Sequence, residues 1–570
     1  MEYRKGYERW LRAEHLEPEL KQQLEQIKDQ EKEIEDRFYK SIGFGTAGLR
    51  GVMGAGTNRM NQYTVRKAAQ GLSQYLTKQG EEAKRNGVVI AYDSRHKSPD
   101  FAREAGLVLA RNGIKAYVFE GIRPTPVLSF AVRHLGATAG IVITASHNPP
   151  EYNGLKVYGA DGAQITAGLA DEIAAEIASV PDELNVETAD LIQAWENRLF
   201  EWIGEQVDEA YQAKLRSLAL QPKENNRDYK VVYTPLHGTG NQPVRRALAD
   251  FGFKHVYVVT EQEQPDPNFS TVKSPNPEEH EAFKLAIEVA EKWGADMIMG
   301  TDPDADRVGV VVRNEEGRFV PLTGNQLGAL LLEYLLSQRA KKGDLPSNGV
   351  VIKTIVTSEM GRAVAAQYGL ETLNTLTGFK YIGEKIKQFE ETKEKTFLFG
   401  YEESYGYLIG DFCRDKDGVQ ACVMAAEMGA YYKNQGLTLY QALFRLFEKV
   451  GYFKEDLVSI TLNGIDGMRK IRHMMEQLRQ EPPKVIAGLS VVEKKDYKQG
   501  IEGLPKSNVL KFVLEDGSWF AARPSGTEPK IKFYYGVRGT SLEDSQTKLE
   551  ALKKDTEVLF TVKTMGKQCS

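Results

Sequence analysis

The sequence predicts an α/β protein: three similarly built mixed α/β domains and a smaller C-terminal α+β domain around a central cleft. Three observations predict it. A strand–helix–strand pattern occurs three times, and strands joined through a helix imply parallel pairing. Each copy is followed by an apolar strand that runs into a polar loop. These loops are I-V-I-T-A-S-H-N-P, M-I-M-G-T-D-P-D-A-D-R and F-L-F-G-Y-E-E-S-Y-G. From about residue 455 the pattern changes to several strands and one charged helical stretch, which suggests an α+β layer.

In chain order, residues 1–40 are charged and helix-prone, with Leu20, Leu24, Ile27 and Ile34 roughly at helical spacing. They predict a leading helical segment packed on the first domain. The first repeat has strands at 88–94 and 116–119 around a helix from Asp100 to Arg111. The second has strands at 230–240 and 255–259 around a helix near Pro243 to Asp250. The third has strands at 350–358 and 371–376 around a helix near Gly361 to Tyr368. A strand at 509–514 and a helix from Leu542 to Phe560 mark the last domain. The expected domains are 1–205, 206–320, 321–455 and 456–570.

Composition excludes several classes. A chain of 570 residues suggests several domains. Net charge is −5 with both signs interspersed, and no basic stretch points to nucleic acid or a membrane surface. The N-terminus lacks the apolar core of a signal peptide, and no segment has the run of ~18 apolar residues that spans a bilayer. Cys413, Cys422 and Cys569 form no C-x-x-C pair and read as reduced thiols of a cytoplasmic protein. Oligomeric state is not legible.

The chemistry centres on Gly140–Lys156. The apolar run Ile141, Val142 and Ile143 reads as a buried strand. It stops at Ser146 and His147, and Pro149 and Pro150 force an ordered, non-helical loop. A hydroxyl beside an imidazole therefore sits at a strand's carboxyl end, where open α/β sheets bind ligands. Gly154 allows a tight turn that folds Lys156 back towards Ser146. A polar loop satisfying its own backbone is the plainer alternative.

Asp302, Asp304 and Asp306 alternate within five residues and repel one another unless a cation joins them. Hard oxygen donors suit Mg²⁺. An EF-hand would need Gly and Glu where Arg307 and Arg313 stand. A solvated acidic turn is the alternative, but apolar residues on both sides favour a buried setting. Three carboxylates leave room in the metal shell for a phosphate, and Ser146 is the available hydroxyl to carry one. Arg523, Ser525, Gly526 and Thr527 combine a guanidinium, two hydroxyls and a glycine backbone, a set that suits a phosphate dianion or an ordinary turn. Glu402 and Ser404 suit sugar hydroxyls or a solvated loop. Thr377, Gly378 and Lys380 follow the third repeat and can add a cation. Gly43–Gly51 reads as a glycine-rich loop presenting Arg50 to an anion, or as plain flexible chain. His237 reads as structural.

Together, T-A-S-H-N-P, G-T-D-P-D-A-D-R, G-Y-E-E-S-Y-G and R-P-S-G-T-E-P resemble the four signature loops of the α-D-phosphohexomutase superfamily, in order and spacing. The resemblance covers roughly residues 40–545. T-G-F-K-Y-I-G and the chain length look most like its phosphoglucomutase branch, and E-E-S-Y-G lacks the S-G-H ending of the bacterial phosphomannomutase type.

The resemblance implies an isomerase that moves phosphate between O1 and O6 of glucose through phospho-Ser146 and glucose 1,6-bisphosphate. Phosphomannomutase and phosphopentomutase are the alternatives with the same chemistry. It implies Mg²⁺ on phospho-Ser146, Asp302, Asp304 and Asp306, with Arg307 and His147 in the same site. Lys156 is the implied general acid/base, and Arg50 a neighbour of the phosphoryl group. Lys380, Glu402 and Ser404 are the implied sugar contacts. The loop of Arg523, Ser525, Gly526 and Thr527 is implied to hold the non-reacting phosphate. A hydrolase using Ser146 and His147 is the rival reading. It is disfavoured because adjacent residues rarely align base and hydroxyl and no G-x-S-x-G surrounds Ser146.

Overall fold

A computed structural model describes residues 2–462, 464–525 and 530–565. The chain divides into two compact units. The first comprises Met1–Leu322, Phe379–Phe399 and Ser404–Thr438. The second comprises Thr323–Gly378, Gly400–Glu403 and Leu439–Ser570. The expected third domain, 321–455, therefore contributes residues to both.

The first unit holds two sheets built on one plan. In the first, Val88–Tyr92 pairs in parallel with Ala116–Phe119 and Ala139–Ile143. In the second, Lys230–Thr234 pairs in parallel with His255–Val258 and Met297–Thr301. The parallel pairing expected from the repeats is present in both. In each sheet the strand that ends in the polar loop then returns antiparallel, Ala139–Ile143 into Tyr152–Gly159 and Met297–Thr301 into Val308–Arg313. Both loops are thus the connections of buried hairpins, with Ile143 opposite Leu155 and Thr301 opposite Val308.

Local sequence sets the helices around these sheets. Ser98–Arg111 begins with Pro99 in its first turn, where the missing N–H costs no helical hydrogen bond. Gln62–Lys78 is capped by Asn61, whose side chain accepts from the Tyr63 and Thr64 backbone while Thr64 reciprocates. The leading helical segment is three short helices, Glu2–Leu11, Pro18–Gln26 and Glu31–Phe38. Pro18 starts the second of them. Their apolar faces close over Trp10, Leu24 and Ile34 and pack on Ala55 and Tyr63, as expected of a segment docked on the first domain.

The second unit pairs Gly349–Thr354 in parallel with Glu371–Thr375, the third instance of the repeat. Its C-terminal sheet has six strands in the order Tyr452–Thr461, Lys530–Gly539, Trp519–Pro524, Leu510–Leu514, Leu489–Asp496 and Val485–Ile486. Neighbouring strands are antiparallel. Ile471, Met475 and Leu478 from helix Gly464–Gln480, with Leu549 and Leu552 from helix Leu542–Met565, cover one face. This is the α+β layer that the sequence predicts. Among the described residues no helix is long and apolar enough to cross a membrane.

Candidate active site

The strand Ala139–Ile143 is buried along its whole length, so its carboxyl end is a fixed platform. Ser146 follows three residues later, 4% exposed and with φ of 52°. A non-glycine residue in that left-handed region is strained, and such strain persists only where surrounding contacts hold it. The Ser146 hydroxyl donates to Asp302 Oδ2 at 2.8 Å and lies 3.2 Å from His147 Nδ1. Adjacency in sequence has therefore not kept hydroxyl and imidazole apart, contrary to expectation. The left-handed turn at Ser146 brings them together. Asp302 is nevertheless the closer acceptor.

The second hairpin loop supplies the carboxylates. Asp302, Asp304 and Asp306 are all buried, and one oxygen from each lies within 4.8 Å of the others. Ala305, between the last two, takes φ of 50° and turns the loop. Asp302 Oδ1 accepts from the Asp306 and Arg307 amides at 3.2 and 3.1 Å. Burial and the charges of Asp304 and Asp306 push its carboxyl well above the ordinary carboxylate range. Burial also works against Asp304, but Lys156 and hydrogen bonds hold that carboxyl low. Two buried oxygens, Asp304 Oδ1 and Asp306 Oδ1, have no hydrogen-bond partner among the described residues. Buried carboxylates left so are costly, and a hard divalent cation fits this all-oxygen set.

Cations surround the cluster. Lys156 donates to Asp304 Oδ2 at 3.0 Å and lies 3.8 Å from Asp306. It is delivered by the return strand, opposite Val142. Gly154 therefore sits within a strand and makes no tight turn, and the Lys156 ammonium meets the aspartate cluster that Ser146 joins through Asp302. Arg307 pairs with Glu278. Arg50 lies on the edge strand Leu49–Val52, opposite Gly154, and donates to Asn148 Oδ1 at 3.0 Å. The glycine-rich stretch thus presents Arg50 from a strand and not from a loop. Burial, with Arg307 and Arg50 nearby, pushes the His147 pKa well below its usual value, so the ring is neutral.

Sequence reasoning missed two members. Thr125 donates to Asp304 Oδ2 at 2.9 Å, and Lys416 lies 3.1 Å from Asp306 Oδ2. Neither carries a local motif. His237 is buried and bonded to Thr271 Oγ1 and the Gln264 carbonyl.

The sugar-type residues divide between the units. In the second unit, the Gly378 amide donates to Glu402 Oε1 at 2.7 Å, and Glu402 is buried. Thr377 Oγ1 has no partner there among the described residues. Arg523 is next to last in strand Trp519–Pro524, near the Tyr534 hydroxyl, and the Ser525 amide donates to the Lys530 carbonyl at 2.7 Å. Gly526 and Thr527 lie outside the described residues. Lys380, in the first turn of helix Phe379–Thr392, and Ser404 belong to the first unit.

A multidomain α/β chain with a buried serine hydroxyl on a three-aspartate cluster defines a class of phosphate-handling proteins. The chain belongs to the phosphoglucomutase/phosphomannomutase family, whose models match domain I at residues 41–183, domain II at 209–317, domain III at 323–449 and the C-terminal domain at 475–552. Three α/β domains and a C-terminal domain are thereby present. A phosphoglucomutase of Staphylococcus haemolyticus is 40% identical over 92% of this chain and 95% of its own. Among solved structures, a Thermus thermophilus protein assigned as a phosphomannomutase matches with TM-score 0.69 and 25% identity over 91% of this chain and 99% of its own. Parafusin of Paramecium, a phosphoglucomutase, matches with TM-score 0.70 and 19% identity over 93% and 96%, a likeness of fold alone.

Proposed function

We propose that the protein is a phosphoglucomutase that interconverts glucose 1-phosphate and glucose 6-phosphate through phosphorylated Ser146 and a glucose 1,6-bisphosphate intermediate. The observation that carries this reading is the Ser146 hydroxyl, 2.8 Å from Asp302 within a buried aspartate cluster that retains unpartnered oxygens. Phosphoglucomutases that match over nearly their full length support the choice of glucose.

In this reading phospho-Ser146 gives its phosphoryl group to the free sugar hydroxyl. The Oγ–P bond breaks, an O–P bond forms on the sugar, and the hydroxyl proton passes to Lys156, which acts from its uncharged amine form and becomes an ammonium. The bisphosphate then returns its other phosphoryl group to Ser146, and a proton goes back to the freed sugar oxygen. Asp302, Asp304, Asp306 and the serine phosphate would hold Mg²⁺, which when bound neutralises charge on the group in transfer. Arg307 and Arg50 add fixed positive charge, and neutral His147 offers a hydrogen bond without a net charge. Thr377, Gly378, Lys380, Glu402 and Ser404 engage the sugar. Arg523, Ser525, Gly526 and Thr527 hold the phosphate that does not react. Cys413 and Cys422 are buried free thiols, which suits a reducing cytoplasm.

The test is turnover of glucose 1-phosphate with Mg²⁺ and a trace of glucose 1,6-bisphosphate. Glucose 6-phosphate without inorganic phosphate is expected, and Ser146→Ala abolishes it. Stoichiometric phosphate release would instead favour the Ser146–His147 hydrolase. Mannose 1-phosphate should turn over ten- to a few hundredfold less efficiently, or roughly 1–3 kcal/mol, because no residue of this set is dedicated to the C2 hydroxyl. A pentose 1-phosphate ranking first would move the substrate assignment.

A further inference from the structure

The left-handed backbone of Ser146 needs a physical cause, and the structure supplies one in residues with no role in the mechanism above. Asp93 and Arg95 follow the central strand Val88–Tyr92 of the first sheet. Both side chains are 0% exposed. Arg95 Nη1 donates to the carbonyls of Pro149 and Tyr152 at 2.8 and 3.1 Å. Its Nη2 donates to the carbonyls of Ser146 and Asn148. One guanidinium therefore gathers four carbonyls of the Ser146–Tyr152 segment. Arg95 Nε lies 3.2 Å from Asp93 Oδ2, and the Phe269 ring packs 5.0 Å from the guanidinium carbon.

Asp93 reaches the other side of the same residue. Its Oδ2 accepts from the Thr144 hydroxyl at 2.7 Å, and Thr144 Oγ1 accepts from the Ser146 amide at 2.8 Å. Its Oδ1 accepts from the Arg95 amide and the Ser98 hydroxyl at 3.0 and 2.8 Å. The Ser146 amide is thus tied through Thr144 to Asp93, and the Ser146 carbonyl directly to Arg95. Backbone strain of ~1–3 kcal/mol endures only where contacts over-determine it, and this paired grip does so. A planar fork of five donors can serve converging carbonyls, whereas a lysine ammonium is a point charge with three.

We propose that Asp93 and Arg95 are positioning residues that hold Ser146 in its left-handed, phosphoryl-exchanging conformation. They are too deeply enclosed to touch substrate, so they act through the loop. The inference rests on the reading of Ser146 as the phosphoryl carrier, but its structural half stands apart from that reading.

The test uses the full-length protein and Arg95→Lys, which keeps the charge opposite Asp93 but cannot bridge the carbonyls. Amide hydrogen exchange across Ser146–Tyr152 should rise at least severalfold, with exchange in the sheet strands unchanged. A misplaced reacting atom costs on the order of a hundredfold, so kcat for glucose 1-phosphate should fall by about ten- to a hundredfold while KM stays near wild type. Transfer of phosphate from glucose 1,6-bisphosphate to Ser146 should slow in parallel. Unchanged loop exchange, or unchanged kcat with a raised KM, would overturn the proposal. If Arg95→Lys fails to fold, Thr144→Val reads the same grip from the other side, and wild-type exchange and kcat in that variant would overturn it. Inactivity of the wild-type protein would sink the mutase reading alone, since loop exchange still reports on the grip.

Discussion

Ser146 and the three aspartates depend on each other electrostatically. With no cation between them, the aspartates repel, and Asp302 is driven towards its protonated form by burial and by its two neighbours. A divalent ion removes that penalty. Asp304→Asn keeps the shape but withdraws one charge and weakens the contact that Lys156 makes at 3.0 Å. Mn²⁺ affinity, measured by electron paramagnetic resonance, should fall at least tenfold, and turnover by about a hundredfold or more, the scale of losing one electrostatic stabiliser. Turnover that survives a chelator unchanged would contradict the metal assignment. The reacting residues were legible in the sequence because each sits in a short loop after an apolar strand. Their supports were not. Thr125 meets Asp304 across 179 residues and Arg95 meets the Ser146 carbonyl across 51, and no local pattern records such meetings.

At the scale of elements, the hairpin return governs the site. The strand Tyr152–Gly159 lies between Leu49–Val52 and Ala139–Ile143, and Gly154 is where the backbones crowd. A Cβ there would stand 2.6 Å from the Thr144 carbonyl oxygen and 2.7 Å from that of Leu49. The glycine is needed for close approach and not for a turn, which its position in the sequence alone does not reveal. Gly154→Ala should destabilise the protein by about 1–3 kcal/mol through overpacking. Urea unfolding checks this, and a wild-type midpoint would show that the strands have slack. Parallel pairing was legible because each strand–helix–strand unit is contiguous. The antiparallel returns were not, since Tyr152–Gly159 carries polar residues and glycines that hide a buried strand.

At the scale of the whole chain, the second unit buries ionisable groups that the proposed chemistry does not use. Glu455 accepts a hydrogen bond from Ser358, and burial pushes its carboxyl up to about 7. Lys511 donates to the Ile355 carbonyl at 2.7 Å, and burial, aided by Lys353, brings its ammonium down to about 7. The raised acid favours the folded state below the unfolded pKa, and that stability is lost as pH rises from about 4.5 to about 7. The depressed base has the opposite sign, and its contribution returns as pH rises from about 7 towards 10.5. The second unit should therefore be least stable near neutrality. Glu455→Gln should raise Tm at pH 8 more than at pH 5, and an equal shift at both would refute the linkage. The central claim concerns Ser146, and peptide mapping by mass spectrometry after treatment with glucose 1,6-bisphosphate tests it most directly. One phosphate on Ser146, discharged by added glucose 1-phosphate, is the predicted result. Phosphate on any other residue, or full activity in Ser146→Ala, would contradict it.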